Sequence, residues 1–285
     1  MQNYLIAGIK IKIGFQFDHY FKNNIEAYRI DDAKSFDYKL ESILCDHIDI
    51  PKNHMTSNRN PKIIIQNGLK MIYATDLNDR VKSMIIHDEE MKHVKVLIDT
   101  TLSKNPAETE YVLLGVMFME IAMKEGFLPI HASAIRYKEQ AILFSAPSKT
   151  GKSTHANLWK RIYPEIDYIN DDKPLLKLVD GKMMVFGSPI AGQKAVNTNQ
   201  CVPLKSIIFI SQGLSDKVKR LSTDEALKLL MKNILRPTEE DNWNKILPQL
   251  EYILVNIPLY SIDATKSEHA VHAVHQALFE GEEQK

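Results

Sequence analysis

The residues best suited to chemistry lie between positions 146 and 154, where the sequence reads APSKTGKST. This stretch has the G-x-x-x-x-G-K-[ST] spacing of phosphate-binding loops, with Ala146 in place of the first glycine. In such loops, successive backbone N–H groups hold phosphate oxygens at the positive end of a helix. Lys152 would neutralise the β- and γ-phosphates, and the Ser153 hydroxyl would bind Mg²⁺. We therefore expect a nucleotide site formed by Ser148, Lys149, Thr150, Gly151, Lys152, Ser153 and Thr154.

The start of this loop departs from the usual pattern. Ala146 is less free than glycine to adopt a positive φ, and Pro147 has no N–H to donate. The loop must therefore draw its phosphate donors from the stretch between Lys149 and Ser153.

A pair of carboxylates, Asp171 and Asp172, follows the loop by seventeen residues and ends the apolar segment beginning at Tyr168. One carboxylate could hold Mg²⁺ and the other could accept the proton of an attacking hydroxyl. We assign Asp171 to the metal together with Ser153, and Asp172 to the base, although the reverse order stays open. Adjacent carboxylates also raise one another's proton affinity.

Two further segments could contribute to phosphoryl transfer. His131, one strand before the loop, could orient a phosphate or a hydroxyl, or be a satisfied structural histidine. In the turn-rich segment 187–194, Gln193 and Lys194 could reach the transferred phosphate from the opposite side, where positive charge stabilises the transition state. The alternative for this segment is a structural loop with a solvated lysine.

Other candidate groups have weaker support. Arg236 could act as a phosphate-stabilising arginine, but the sequence favours a structural role. His269, His272 and His275 recur every three residues without an acidic or thiolate partner, which favours a solvated helix over a metal site. The basic residues at 217–220 indicate a charged hairpin.

The histidine segment 131–134 (HASA), the loop ending in GKST and the Asp171-Asp172 pair occur in the order and spacing of the HPr kinase/phosphorylase catalytic domain. The resemblance covers about residues 127 to 265, and segments 187–194 and 202–209 look like the version found in HPr-kinase-related proteins. It implies an α/β P-loop kinase of the HPr kinase/phosphoenolpyruvate carboxykinase type, using ATP and Mg²⁺ to phosphorylate a hydroxyl. The arginine-containing signature and the mobile carboxy-terminal loop of true HPr kinases have no convincing match here. The resemblance therefore implies neither HPr as the acceptor nor phosphorylase activity.

The elements that must position these residues form two parts. Residues 1–105 are rich in short alternating runs, predicted as strands over 5–13, 62–66, 69–74 and 93–99, with a hairpin turn at Asn67-Gly68. Residues 31–60 are polar and punctuated by proline, which predicts a loop with at most one short helix. A helix is predicted over 106–124, with proline at its start and Gly126 after its end.

The second part, 106–285, alternates strands with helices and is predicted to be α/β. Strands are expected over 128–136, 141–145 and 206–210, the second of these nearly wholly apolar as in a sheet covered on both faces. Helices are expected over 152–161, 223–234 and 242–250, with a hairpin at Asp180-Gly181 and a loop over 187–203.

Composition limits the classes of partner. The 285 residues include 36 Lys plus Arg and 36 Asp plus Glu, so the net charge is 36 − 36 = 0 and a global basic field for nucleic acid or membranes is absent. Only Cys45 and Cys201 are present, which gives no disulfide framework and favours a reducing compartment. The longest apolar stretch near a helix, 111–122, is about twelve residues, short of a bilayer span. We expect a cytoplasmic protein.

These observations lead to one main hypothesis and two alternatives. The main hypothesis is a kinase in which Lys152, Asp171, Asp172 and His131 are catalytic, the acceptor is a hydroxyl of a peptide, protein or small molecule, and the β-rich part recognises that acceptor. Homo-oligomerisation is compatible with it. The alternatives are a nucleotide-sensing module without transfer, and a carboxykinase-like enzyme acting on a small acid.

Overall fold

The computed structural model of this chain describes residues 1–31, 35–51, 61–148, 150–192 and 196–280, without the side chain of Tyr20. Lys149, Gln193 and Lys194, to which the sequence assigns roles, lie outside the described residues. The chain divides into two compact units, Met1–Ile121 and Ala122–Lys285, whereas the sequence places the boundary near residue 105. Within the described ranges, no helix combines the length and apolar character needed to cross a bilayer.

The first unit is built on a mixed sheet. Its described strands are β1 (Gln2–Ile6), β2 (Ile9–Gly14), β3 (Arg29–Ile30), β4 (Tyr38–Cys45), β5 (Lys62–Gln66), β6 (Leu69–Thr75), β7 (Val81–Asp88) and β8 (His93–Asp99). They pair in the order β3-β1-β2-β4-β8-β7-β6-β5, with β4 parallel to both β2 and β8 and the other pairs antiparallel. Helix α1 (Asp18–Ile25) lies between β2 and β3 in the chain, and α2 (Pro106–Lys124) follows β8.

The sequence predictions for this unit are confirmed only in part. The predicted strand over 5–13 is a hairpin, because Ala7 and Gly8 adopt positive φ values of 50° and 86° and reverse the chain. The predicted loop over 31–60 is wrong where β4 lies, since alternate β4 side chains are buried in the sheet. The hairpin at Asn67-Gly68 is confirmed, with φ values of 53° and 74°.

Helix α2 begins and ends where the sequence predicts, and Gly126 follows it with a φ of 81°. Glu110 is the fifth residue of this helix. Its side chain is fully buried, and its carboxylate accepts hydrogen bonds from the backbone N–H groups of Gln16 and Phe17 and from the Ser42 hydroxyl. Glu110 therefore satisfies backbone donors at the entry to α1.

The second unit contains a larger, mixed sheet. Its described strands are β9 (Leu128–Pro129), β10 (Ala132–Tyr137), β11 (Gln140–Ser145), β12 (Asp167–Asn170), β13 (Leu175–Val179), β14 (Lys182–Phe186), β15 (Cys201–Gln212), β16 (Lys217–Arg220) and β17 (Leu259–Ala264). The main order is β12-β10-β11-β15-β14-β13-β9, with β17 paired to β15 and β16 paired to β17. The helices are α3 (Lys152–Ile162), α4 (Thr223–Asn233), α5 (Glu240–Asn256) and α6 (Glu268–Phe279).

Helices cover both faces of the central strands. Along β11, Ala141 and Leu143 pack with residues of α4 and α5, whereas Ile142 and Phe144 pack with residues of α3 and α6. The same alternation occurs along β15, so neither face of these strands meets water. This burial explains why β11 is almost wholly apolar, as predicted for a covered sheet.

Several predicted elements of this unit are confirmed with changed limits. The strand predicted over 128–136 is divided into β9 and β10, and the strand predicted over 206–210 begins earlier, at Cys201, within the predicted loop. The hairpin at Asp180-Gly181 is confirmed. The charged hairpin predicted at 217–220 is wrong, because β16 pairs with β17, which follows α4 and α5 in the chain, and β17 has no counterpart among the predicted elements.

The topology brings several strand ends to one edge of the sheet. Strands β11, β15 and β17 are parallel, so their carboxyl ends meet there. β10 runs antiparallel to β11, and β12 antiparallel to β10, which places the start of β10 and the end of β12 at this same edge. In α/β sheets, ligands bind outside the carboxyl ends of the strands.

Candidate functional site

The loop over 146–151 joins the carboxyl end of β11 to α3. Gly151 precedes the helix with a φ of 124°, a conformation that L side chains rarely adopt, so glycine is required here by the backbone. The Thr150 N–H donates to the Pro147 carbonyl at 3.3 Å and closes the turn. Ala146 needs no positive φ, and its methyl group is buried in the core between the sheet and α3. The missing first glycine is therefore compatible with the loop.

The Lys152 side chain is buried and curls back over the loop. Its Nζ donates to the Ala146 carbonyl at 3.1 Å and lies 3.5 Å from the Pro147 carbonyl. Burial lowers the pKa of this ammonium, while the charges of Asp172 and Asp171 oppose that effect. A desolvated cation held by neutral carbonyls is stabilised by an arriving anion, as a phosphate site requires.

Ser133 connects the loop to the aspartate segment and was missed by the sequence reasoning. Its hydroxyl is wholly buried on β10, donates to the Asp171 carbonyl at 3.4 Å, and lies 3.5 Å from the Ser153 hydroxyl. The resemblance could have pointed to Ser133, because this residue belongs to the same short segment, 131–134, as His131. The two residues assigned to Mg²⁺, Ser153 and Asp171, are thus linked through one side chain.

Asp171 is held by the segment that begins at Gly187. Its Oδ1 accepts the Gly192 N–H at 2.7 Å, and its own N–H donates to the Val196 carbonyl at 3.1 Å. A Cβ on Gly192 would lie 3.1 Å from Asp171 Oδ2, closer than most real Cβ contacts. Glycine at 192 therefore allows the backbone to approach the carboxylate.

Asp172 has two side-chain partners on the same oxygen. His131 Nε2 lies 3.2 Å and Lys173 Nζ lies 3.1 Å from Asp172 Oδ1. Burial raises the pKa of Asp172, but the hydrogen bonds and charges of His131 and Lys173 together outweigh it, so the net shift is downward. The sequence predicts that the adjacent carboxylates raise one another's proton affinity, yet the net shift at Asp172 is downward because these partners stabilise its ionised form.

Asn170, the last residue of β12, fixes the turn that presents both aspartates. Its fully buried side-chain Oδ1 accepts the N–H groups of Asp172 at 2.8 Å and Lys173 at 2.6 Å. Its Nδ2 donates to the carbonyls of Ser188 and Ile190. The Asn170 side-chain amide therefore joins the aspartate turn to the segment that holds Asp171. No role was assigned to Asn170 from the sequence.

The chemistry of the donor set is suited to Mg²⁺, which prefers hydroxyl and carboxylate oxygens and retains several waters. Ser153 and Asp171 would supply such oxygens. The residues that the structure describes contain no cluster of three His, Cys, Asp or Glu side chains that could hold a metal by themselves. The arrangement therefore fits a magnesium ion brought with a phosphate ligand better than an all-protein cage.

The weaker sequence candidates lie in structural contacts. His275 stacks on Tyr163 with ring centroids 5.0 Å apart, and its Nε2 lies 3.3 Å from the Tyr137 hydroxyl. Arg236 donates to the Met231 carbonyl at the end of α4, with its closer nitrogen at 2.9 Å. Lys219 pairs with Glu225 on the surface. The predicted solvated helix is wrong for His275, which packs among aromatic rings, and agrees with the exposed positions of His269 and His272.

Comparisons with known proteins give a distant structural likeness. No family model matches the chain, and no curated protein matches it. Among solved structures, the HPr(Ser) kinase/phosphatase from Coxiella burnetii is similar with a TM-score of 0.33 and 14% sequence identity, over 55% of this chain and 94% of that chain. The described elements show a mixed α/β chain whose candidate site lies at one edge of the second sheet.

Proposed function

We propose that the second unit is a P-loop kinase that transfers the γ-phosphoryl group of ATP to a hydroxyl in the presence of Mg²⁺. The observation that carries the proposal is the link from Ser153 through Ser133 to Asp171, with the paired Asp172 and His131 beside it. A phosphate loop alone serves many binding proteins. Phosphoryl transfer also requires a general base and a carboxylate that can bind the metal, both next to the same loop.

The loop side of the site binds and orients the donor. Backbone N–H groups at the start of α3 face the phosphate oxygens, and Lys152 neutralises the charge on the β- and γ-phosphates. A bound Mg²⁺ ion would supply further charge neutralisation to the phosphates, held by Ser153 and Asp171. The Ser133 hydroxyl, which donates to the backbone carbonyl of Asp171 and lies 3.5 Å from the Ser153 hydroxyl, connects the Asp171 backbone to the start of α3.

The aspartate side of the site acts on the acceptor. As the acceptor oxygen forms its bond to the γ-phosphorus, the bond to the β-phosphate oxygen breaks and ADP leaves. The acceptor proton passes to Asp172, whose Oδ2 is the oxygen that His131 and Lys173 leave uncovered among the described contacts. The lowered pKa keeps Asp172 ionised at neutral pH, as a base must be.

The acceptor is proposed by chemical class: a serine-type hydroxyl on a peptide, a protein or a small molecule. The first unit is proposed to recognise it. Both assignments extend the resemblance to HPr-kinase-related proteins, and a cytoplasmic location is part of the same proposal.

Binding of ATP with Mg²⁺ tests the donor side directly. Titration calorimetry on the wild type and on Lys152→Met should show an affinity loss of about 10- to 100-fold, as expected when a charge-assisted hydrogen bond worth about 1.5–3 kcal/mol is removed. Lys228→Met is the matched control, because Lys228 is exposed on α4 and should bind ATP like the wild type. Equal affinity of the wild type and Lys152→Met for ATP would contradict phosphate binding by this loop.

A further inference from the structure

A cleft of about 790 Å³ lies within the first unit and is lined by parts of the segments 74–77, 82–83, 102–105 and 108–113. These segments are the ends of β6 and β7, the connection from β8 to α2, and the first turns of α2. The volume is within the range of about 300–1,000 Å³ typical of small-molecule sites. None of the lining residues belongs to the phosphate loop or to the aspartate turn, so the proposed transfer chemistry does not use this cleft.

Ser83 is the most deeply buried polar side chain of the cleft. It lies on β7 opposite Ala74 of β6 and is 9% exposed. Among the described contacts, its hydroxyl has no hydrogen-bond partner, and the oxygen is not sealed from solvent, so it faces the cleft. A serine hydroxyl can both donate and accept, and a largely buried hydroxyl without a partner costs free energy. A polar ligand atom in the cleft would remove this cost.

Thr75, the last residue of β6, supplies a second hydroxyl for a ligand. It is half-buried, and the described contacts give its hydroxyl no partner. The other two hydroxyls of the lining, those of Ser103 and Thr109, bond to each other at 3.0 Å. The cleft therefore presents two available hydroxyls, Ser83 and Thr75, near the ends of adjacent strands.

Apolar side chains form much of the remaining wall. Leu102, before α2, and Leu113, on α2, are half-buried, and Val112 is 49% exposed. Leu77, in the turn between β6 and β7, is fully exposed. Apolar surface that lines a concave site gains free energy when an apolar group removes it from water.

The turn that carries Leu77 is held in place by Asp76. Its carboxylate accepts the N–H groups of Asn78 and Arg80, each at 2.9 Å, and pairs with the Arg80 guanidinium at 2.8 Å. This part of the rim is therefore formed before a ligand arrives, which lowers the entropic cost of binding.

The charges of the lining select the class of ligand. Two basic residues, Lys82 and Lys104, and two acidic residues, Asp76 and Glu108, line the cleft, so the lining carries no net charge. Electrostatic complementarity therefore favours a neutral ligand over an ion. A peptide segment meets all these conditions, because it has main-chain amides for the two hydroxyls and an apolar side chain for the wall.

We propose that this cleft binds a neutral peptide segment, with main-chain amide groups on the hydroxyls of Ser83 and Thr75 and an apolar side chain against Leu102, Val112 and Leu113. The identification of this peptide as part of the phosphate acceptor rests on the proposed function. It narrows the acceptor to a peptide or protein that carries an apolar docking residue in addition to the phosphorylated hydroxyl.

The first test is an NMR titration of the isotope-labelled full chain with N-acetyl-leucinamide, a neutral peptide unit with an apolar side chain. Saturable shifts should centre on Ser83, Thr75 and Val112, with a Kd of about 1–10 mM, as expected for a ligand of this size. N-acetylglycinamide lacks the apolar side chain and N-acetyl-leucine carries a carboxylate, so both should bind more weakly.

Two variants separate the parts of the site. Val112→Asp should weaken N-acetyl-leucinamide binding about 10-fold, since the ligand would cover a charged group, and Ser83→Ala about 3- to 10-fold, as for one neutral hydrogen bond. Val116→Asp is the matched control, because Val116 lies on the same helix, is 48% exposed and does not line the cleft. Thermal unfolding monitored by circular dichroism checks that the variants fold. Absence of saturable shifts in the cleft, tighter binding of N-acetyl-leucine, or an equal loss in Val116→Asp would overturn the peptide site.

The second test measures transfer from ATP to peptides in which a leucine lies at varied distances from one serine. Val112→Asp should raise the KM for the peptide about 10-fold with little change in kcat, and Val116→Asp should leave both unchanged. Equal KM values in the two variants would overturn the assignment of the bound peptide to the acceptor. Saturable binding without any transfer by the wild type would overturn the proposed function, and the acceptor assignment with it, but not the peptide site.

Discussion

His131 Nε2 lies 3.2 Å from Asp172 Oδ1, so a residue at the start of one strand holds the carboxylate that follows the end of the neighbouring strand. Lys173 shares the same oxygen. The contact turns a sequence candidate, which had a structural histidine as its alternative, into the partner of the proposed base. Under the proposed mechanism, His131 is a positioning residue that acts through Asp172.

Replacing His131 should move the pH dependence of transfer. In His131→Ala, Asp172 loses a hydrogen bond that lowers its pKa, so that pKa rises and the carboxylate is protonated at higher pH. The acid limb of the pH–rate profile should shift upward, with about 10-fold or greater loss of rate at the acid end. His272→Ala, at an exposed position on α6, is the control. A His131→Ala profile that overlays the wild type contradicts this role.

Asp172 should also contribute pH-dependent stability. Its pKa is lower in the folded state than in the unfolded state, so its stabilising effect is fully present above the unfolded value of about 3.9 and is lost as the pH falls through the folded value. The difference in unfolding free energy between the wild type and Asp172→Asn should be constant near neutral pH and shrink below about pH 4. Denaturant titrations across this range measure it; a difference that grows on acidification would show the opposite shift.

Gly192→Ala tests the close approach of backbone to Asp171. The added Cβ would meet the carboxylate at 3.1–3.4 Å, so the carboxylate must shift by a few tenths of an ångström from where the Gly192 N–H holds it. We expect the Mg²⁺ concentration for half-maximal transfer to rise about 10-fold, the effect of about 1.4 kcal/mol, with little change in unfolding temperature. Gly14→Ala is the control, since its nearest neighbour is the flexible end of Met1. An unchanged Mg²⁺ dependence would show that Asp171 does not bind the metal.

Glu110→Ala should destabilise the first unit. The substitution leaves the N–H groups of Gln16 and Phe17 and the Ser42 hydroxyl without their acceptor, which we expect to cost about 3 kcal/mol. Both tryptophans of the chain lie in the second unit, so amide hydrogen exchange of the first unit is the suitable measurement. Glu108→Ala, on the exposed side of the same helix, should leave exchange nearly unchanged. Equal protection in the two variants would deny Glu110 this role.

The sequence predicted the elements whose signals are local. The α2 limits followed from Pro106 and Gly126, and the covered strand β11 followed from its apolar run. β4 was missed because it lies in a largely polar segment that resembles a loop, whereas its stability comes from parallel pairing with strands distant in the chain. Long-range pairing of this kind leaves no local pattern.

The candidate site was predictable in its charged residues and not in its supports. Lys152, Asp171 and Asp172 occur at the spacing expected for a phosphate-binding loop followed by a carboxylate pair. Ser133 and Asn170 act through contacts between strands that only the fold brings together. The downward pKa shift of Asp172 also depended on a partner from another strand, which spacing along the chain does not reveal.

The most direct test of the account is transfer of label from γ-³²P-ATP with Mg²⁺ to a panel of acceptors comprising free serine, free threonine, serine-containing peptides and water. The wild type should move label out of ATP. Asp172→Asn should bind ATP with unchanged affinity and lose about 100-fold or more in transfer, as expected for removal of a general base. Transfer by Asp172→Asn at the wild-type rate would contradict the central claim.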